Sequence, residues 1–76
     1  MDPVLPAIGK SVRIKSYVRG NRAARERLLT MGLTPGTEIT VTRIAPMGDP
    51  IEIRVRGFAL SLRREEFALL TLEKEI

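Results

Sequence analysis

The sequence predicts a mostly β protein: a small five-stranded barrel with one short α-helix between its first and second strands. Three observations support this fold. Stretches in which apolar and polar residues alternate recur along the chain, which is typical of strands with one buried face. Glycine and proline separate these stretches at close intervals, as turns require. A chain of 76 residues cannot cover a flat sheet on both faces, so a sheet that curls on itself is favoured.

The N-terminal part is predicted to contain an arm, a strand and a helix. Residues 1–8 include two prolines, which do not suit a helix interior, and are expected to form an extended arm. Alternating apolar and charged residues predict a first strand from Lys10 to Val18. Asn21 suits the N-cap of a helix from Arg22 to Met31, and Gly32 suits the left-handed residue that follows a helix.

The remaining elements are predicted from turn residues and alternation. The segment 34–37 has proline at its second position and glycine at its third, which predicts a type II turn. Three helix-end residues, Leu28, Met31 and Leu33, are expected to close one mouth of the barrel. The further predicted elements are a strand over about 39–44, a loop over 45–50, strands over 51–55 and 58–62 with a reversal at Gly57, a helical turn over 63–66, and a last strand at Leu70 and Leu72. Phe58 is expected in the core.

The composition limits the possible compartments and functions. The chain has 13 Lys+Arg against 9 Asp+Glu, and it has no histidine, cysteine or tryptophan. Without cysteine there is no disulfide and no thiolate metal site. No apolar run reaches the roughly 18 residues that span a bilayer, and the N-terminus does not look like a signal peptide. We therefore expect a single domain over residues 1–76, located in the cytoplasm and not inserted into a membrane.

No catalytic, cofactor or metal site is predicted. Gly9-Lys10-Ser11 is the nearest approach to a phosphate-binding loop, but the upstream glycine of such a loop is Val4 here, and a strand follows where a helix is needed. The serines have no histidine or cysteine partner for nucleophilic work. The other carboxylates are scattered, and the adjacent Glu65 and Glu66 are expected to diverge, so that they would not converge on one ion. We therefore expect that the protein is not an enzyme and holds no cofactor or metal ion.

The positive charge is concentrated between residues 9 and 27. This stretch has seven cations opposed only by Glu26, namely Lys10, Arg13, Lys15, Arg19, Arg22, Arg25 and Arg27. Such a stretch suits nucleic acid or an acidic protein, and it is equally the pattern of a solvated strand and helix face. The only aromatic residues are Tyr17, Phe58 and Phe67. Few bases could stack on them, so nucleic acid is not the expected partner.

The loop over 46–50 is the second candidate for recognition. It carries the apolar Met47 between two prolines, and short loops on rigid barrels often bind partners. In the structural alternative, Asp49 binds a nearby backbone amide while Met47 packs under the barrel. The sequence leaves both interpretations open.

Three segments in order, 27–39, 43–51 and 55–63, resemble the FeoA proteins, small cytoplasmic components of bacterial ferrous-iron uptake. The similarity extends from about Leu5 to Leu72. The family's loop usually has leucine where this chain has Met47, which is a volume-conserving difference. The resemblance implies an SH3-like barrel without catalysis that supports a membrane-bound ferrous iron transporter with a cytosolic GTPase domain.

The resulting functional hypothesis is an accessory protein that docks on the transporter's GTPase part and modulates its activity or assembly, and is held at the inner face of the membrane only through that partner. The expected partner-binding residues are Arg22, Arg25, Leu33, Pro35, Met47 and Asp49. The alternatives are a basic barrel that binds nucleic acid and an iron-linked regulatory domain. A related barrel forms the C-terminal domain of iron-dependent repressors, but in this sequence no DNA-binding helix-turn-helix precedes the barrel. Weak self-association stays open.

Overall fold

The computed structural model describes residues 5–73, so the first half of the predicted arm lies outside the described residues. Five strands and two helices follow one another along the chain. They are β1 (Ser11–Tyr17), α1 (Arg22–Thr30), β2 (Glu38–Ile44), β3 (Ile51–Val55), β4 (Phe58–Leu62), α2 (Arg64–Phe67) and β5 (Leu70–Leu72). The mostly β fold with a helix between its first two strands is confirmed.

The five strands form one antiparallel sheet in the order β4-β3-β2-β1-β5. β1 serves two neighbours: its first half pairs with β2, where Val12 faces Ile39, and its second half pairs with β5, where Tyr17 faces Leu70. Within the pairing of β1 with β5, the register shifts between Ile14 and Ser16. Because one strand bridges both sides, the sheet curls and encloses a core.

The core consists of aliphatic side chains from every strand together with one phenylalanine. Its fully buried members are Ile14, Leu28, Leu33, Ile39, Val41, Ile51, Ile53, Val55, Leu62 and Phe67. The alternation in the sequence accounts for this set, since successive side chains of a strand point to opposite faces. Leu28 and Leu33 come from the end of α1 and the segment after it, and Met31 packs against them half-buried. The three residues therefore belong to the core or pack against it, as their apolar character predicts.

The limits of α1 follow from its capping residues. The Asn21 side chain accepts a hydrogen bond from the Ala24 N–H at 3.2 Å, which confirms the predicted N-cap. At the other end, the N–H groups of Gly32 and Leu33 donate to the carbonyls of Leu29 and Leu28, a Schellman motif. Gly32 has a φ of +89°, which a residue with a Cβ adopts only under strain. The helix ends at Thr30, one residue earlier than predicted.

The turn after α1 is tied to β1. The Thr37 N–H donates to the Thr34 carbonyl at 3.0 Å, and Gly36 has a φ of +93°, which confirms the type II turn. The Gly36 N–H donates to the Ile14 carbonyl at 2.7 Å. These bonds set the position of Pro35 relative to the sheet.

The prediction that Phe58 lies in the core is wrong, because 49% of this residue is exposed. Phe58 pairs with the buried Val55 and therefore lies on the core side of the sheet. It is the first residue of β4, which is an edge strand, and burial increases along that strand through Leu60 to Leu62. Alternation predicted the face correctly, but it carries no information on how far the core extends along an edge.

Candidate partner-docking surface

The loop over residues 45–50 presents Met47 to solvent. Met47 is 86% exposed, the largest exposure among the described large hydrophobic residues. Within the loop, the Gly48 N–H donates to the Ala45 carbonyl at 2.7 Å, and the Ala45 N–H donates to the Pro50 carbonyl at 3.1 Å. The alternative in which Met47 packs under the barrel is therefore wrong, while the loop around it is ordered by its own backbone.

Asp49 has the structural role that the sequence left open. Its Oδ1 accepts a hydrogen bond at 3.0 Å from the backbone N–H of Arg64, the first residue of α2. An acceptor at that position satisfies one of the N–H groups that a helix leaves unpaired at its start. The side chain of Arg64 also lies over the loop, since a Cβ added at Gly48 would meet its Nη1 at 2.9 Å. The loop that carries Met47 is therefore attached to α2.

α2 also contacts α1 through an ion pair that sequence reasoning missed. Glu66 Oε1 accepts the Arg63 N–H at 2.9 Å, and Glu66 Oε2 lies 3.1 Å from Arg27 Nη1. Only 9% of the Glu66 side chain is exposed, against 69% for Arg27. Neither this burial nor the pairing of Glu66 with Arg27 was predicted from the sequence. A glutamate at the third position of a short helix was the signal in the sequence, because it can bond back to the residue before that helix.

The arginines of α1 have different roles: one pairs with a buried carboxylate, and the others lie at the surface. Arg27 is engaged by Glu66, whereas Arg22 pairs with the exposed Glu26 at 3.3 Å, one helical turn away. Arg25 is half-buried and has no carboxylate partner among residues 5–73. Arg22 and Arg25 thus stay available as partner contacts.

The structure separates the two predicted contacts near the type II turn. Leu33 is fully buried, so its side chain belongs to the core and cannot meet a partner. Its carbonyl accepts a hydrogen bond from the Tyr17 hydroxyl, and burial raises the pKa of that hydroxyl. Pro35 is exposed. Its turn is attached to β1 and to the β3–β4 turn rather than to α2, so Pro35 belongs to a second surface.

That second surface is an open groove of about 620 Å³. It is formed by the type II turn, the start of β2, the end of β3 and the turn after β3. Its lining residues are Thr34, Pro35, Gly36, Thr37, Glu38, Thr40, Arg54, Arg56 and Gly57.

Within residues 5–73, no three histidine, cysteine, aspartate or glutamate side chains lie together in a way that could hold a metal ion. In the same part of the chain, no helix is long and apolar enough to cross a bilayer.

A curled five-stranded antiparallel sheet with a helix between its first two strands defines a small SH3-like domain. The FeoA domain profile matches residues 6–74, and the chain belongs to the FeoA domain family.

Relatives of this chain include both solved structures and a fused protein. The Fe(2+) transport protein A/Fe(2+) transporter FeoB fusion protein of Porphyromonas gingivalis is 41% identical over 56 residues, which are 74% of this chain and 7% of that protein's length. Iron(II) transport protein A from Clostridium thermocellum superposes with a TM-score of 0.83 at 33% identity, covering 96% of this chain and 44% of that one. Stenotrophomonas maltophilia FeoA, described as a prokaryotic SH3 domain protein and solved with zinc, has a TM-score of 0.75 at 25% identity over 91% of this chain and 84% of that one.

Proposed function

We propose that this protein is a non-enzymatic accessory protein of bacterial ferrous iron uptake, which docks on the cytosolic GTPase part of the membrane ferrous iron transporter and modulates its activity or assembly. The observation that carries the proposal is the Porphyromonas gingivalis protein, in which a segment similar to this chain is joined to FeoB in one polypeptide. A covalent link supplies the second partner at a high effective concentration. Where the two are separate chains, an exposed surface has to supply the affinity instead.

The Met47 loop supplies such a surface. Fully burying a methionine side chain contributes about 1.5–3 kcal/mol, and most of Met47 is still available for burial. The loop is ordered by its own hydrogen bonds and by the Asp49–Arg64 bond, so binding costs little additional ordering. Arg22 and Arg25 lie on the side of α1 away from Arg27, the residue that meets α2, so they form a second candidate contact that is tested separately.

Titration calorimetry with the purified cytosolic domain of the transporter from the same genome tests the loop. We expect Met47→Asp to weaken binding about tenfold or more, since it replaces an apolar contact by a charge that must be desolvated. Ile8→Asp is the matched control, because Ile8 is also an exposed apolar residue, at 59%, and lies outside the proposed surface. Equal affinities of the wild-type and Met47→Asp proteins would remove the loop from the interface.

The arginines are tested by charge reversal. We expect Arg22→Glu/Arg25→Glu to slow association and lower affinity, with an effect that weakens in high salt. Lys10→Glu/Lys15→Glu changes the formal net charge of +4 by the same four units and serves as the control. A similar loss in both double variants would indicate a general charge effect and not a docking surface.

Two variants at Asp49 show whether this residue contacts the partner or only positions the loop. Asn at this position keeps an oxygen acceptor for the Arg64 N–H but removes the charge. If Asp49 only orders the loop, Asp49→Asn binds nearly as the wild type while Asp49→Ala binds more weakly. If Asp49 itself meets the partner through its charge, both variants lose affinity equally. Modulation of the transporter is tested by measuring the GTP hydrolysis rate of its cytosolic domain with and without the protein. If the wild-type protein forms no complex with that domain, the proposal is refuted.

A further inference from the structure

The groove beside Pro35 contains two arginines, Arg54 and Arg56, that pair with no carboxylate in the described part of the chain. Arg54 Nη1 donates to the Gly57 carbonyl and Arg56 Nη2 donates to the Thr37 hydroxyl, each at 3.4 Å. Neither guanidinium lies within 4.0 Å of a carboxylate among residues 5–73. A guanidinium has five N–H donors, so most donors of both side chains stay free for a ligand.

The one acidic residue of the groove, Glu38, is paired with an arginine outside the groove. Glu38 lies opposite Arg13 in the β1–β2 register, and their side chains approach to 4.0 Å. The charge that the groove offers to a ligand is therefore that of Arg54 and Arg56. The rest of the lining is small or polar, and Pro35 adds an apolar edge.

The position of Arg56 is unusual for an arginine. It is the first residue of the two-residue turn between β3 and β4, and its φ is +50°. Asparagine, aspartate and glycine are the favoured residues there, because a Cβ is strained at positive φ. Arginine offers the turn no conformational advantage, so its contribution has to come from the side chain.

The Thr37 hydroxyl holds that side chain in place. Thr37 is buried, and its hydroxyl donates its one proton to the Gly32 carbonyl. Its two lone pairs then accept from Arg56 and from the Thr34 hydroxyl, the latter at 3.0 Å. The hydroxyl is fully used, and the β3–β4 turn is thereby linked to the type II turn across the groove.

We propose that this groove binds an extended acidic segment of a partner protein, with two carboxylates at alternate positions that pair with Arg54 and Arg56. Residues two apart in an extended chain lie about 6.5–7 Å apart on one face, so a single extended segment can present two carboxylates to Arg54, in β3, and to Arg56, in the turn that follows it. Arginine forms bidentate hydrogen bonds with carboxylates, which gives geometric selectivity as well as attraction. The inference rests on the proposed function only for the identity of that partner, because the recognition chemistry belongs to the groove.

An NMR titration of the full ¹⁵N-labelled chain tests the groove directly. The probe is the peptide Ser-Val-Glu-Val-Glu-Val-Ser with blocked ends, and the control peptide has glutamine in place of both glutamates. We expect the acidic peptide to shift amides of 34–40 and 54–57, and the glutamine peptide to bind about tenfold more weakly. Arg54→Gln/Arg56→Gln should lose the response, whereas Arg19→Gln/Arg43→Gln, which removes the same charge from exposed positions elsewhere, should keep it. Glu38→Gln should bind the acidic peptide more tightly.

Several outcomes would overturn the proposal. They are equal binding of the two peptides, shifts confined to other amides, and an unchanged response in Arg54→Gln/Arg56→Gln. Inorganic phosphate or a short RNA that shifts the same amides at lower concentration than the peptide would also overturn it, in favour of a phosphate site. The two proposals fail separately: if the transporter domain binds through Met47 but the peptide does not bind, only the groove is refuted. If the peptide binds in the groove but the transporter domain does not bind the protein, the groove stands and its partner is another acidic protein.

Discussion

The ion pair between Arg27 and Glu66 should couple the two helices, and a double-mutant cycle can measure that coupling. Each residue is replaced by alanine, alone and together, and Glu66→Gln is added as a variant that keeps an oxygen acceptor. The Glu66 carboxylate is 9% exposed and 3.1 Å from Arg27 Nη1, whereas Arg27 is 69% exposed. The pair therefore lies between the exposed pairs that contribute about 0.2–1 kcal/mol and the buried pairs whose disruption costs about 3–5 kcal/mol.

These two limits give the expected magnitudes. Arg27→Ala leaves a mostly buried carboxylate without its counter-charge but with its bond to the Arg63 N–H, so we expect a loss of about 1 kcal/mol. Glu66→Ala also loses that capping bond, which adds about another 1 kcal/mol. Glu66→Gln keeps the acceptor and should resemble Arg27→Ala. The coupling free energy should be about 1 kcal/mol, and each such loss lowers the Tm of a domain of this size by about 4–8 °C.

Urea unfolding followed by far-ultraviolet circular dichroism is the assay, with all variants compared at one salt concentration. A coupling below about 0.3 kcal/mol, the usual error of such cycles, would refute the reasoning. The pair would then be a geometric proximity that does not join α1 to α2.

Three further predictions concern stability. Burial raises the pKa of the Tyr17 hydroxyl from its usual value of 10.0. As the pH rises, the unfolded chain therefore loses this proton before the native state does. The free energy of unfolding that Tyr17 contributes below pH 10 is then lost at higher pH. Tyr17 is the only tyrosine in a chain without tryptophan, so tyrosinate absorbance reads its pKa alone, and the stability gap to Tyr17→Phe should narrow in alkali. Gly32→Ala should cost about 1–2 kcal/mol in urea unfolding through backbone strain alone, because an added Cβ meets no atom within 4 Å. Phe67→Ala should cost about 3–5 kcal/mol, but Phe58→Ala only about 1 kcal/mol, and equal losses would contradict the difference in burial between the two rings.

The strands and turns could be predicted because their causes are local. Alternation in β3 places Ile51, Ile53 and Val55 on one face whatever that face meets, and the structure buries all three. The end of α1 is also determined locally, because Gly32 and Leu33 complete a Schellman motif that spans only six residues. Phe58 shows the limit, since its burial depends on how far the core reaches along an edge strand.

The candidate site was less predictable because it depends on contacts between distant segments. Met47 was found as a loop residue, but its exposure follows from how the loop closes on itself and on α2. Glu66 meets Arg27 across 39 positions of the chain, and no pattern in the sequence pairs these two charges. The groove was missed for the same reason, since Arg54 lies in the cleanest strand of the sequence and Arg56 directly after it, where exposed charges are the ordinary expectation.

The same dependence limits how binding losses can be interpreted. The core holds the strands through many apolar contacts, whereas the exposed segments are positioned by single polar bonds, such as Asp49–Arg64 at the loop and Arg56–Thr37 at the groove. Removing one of these bonds moves a surface without touching a partner. A variant that loses both binding and its polar bond therefore identifies a positioning residue, and only a variant that keeps the bond and changes the charge identifies a contact. Asn at position 49 meets this condition, whereas at position 56 the charge and the bond are lost together, so a loss of response in Arg54→Gln/Arg56→Gln identifies a contact only together with the weaker binding of the glutamine peptide.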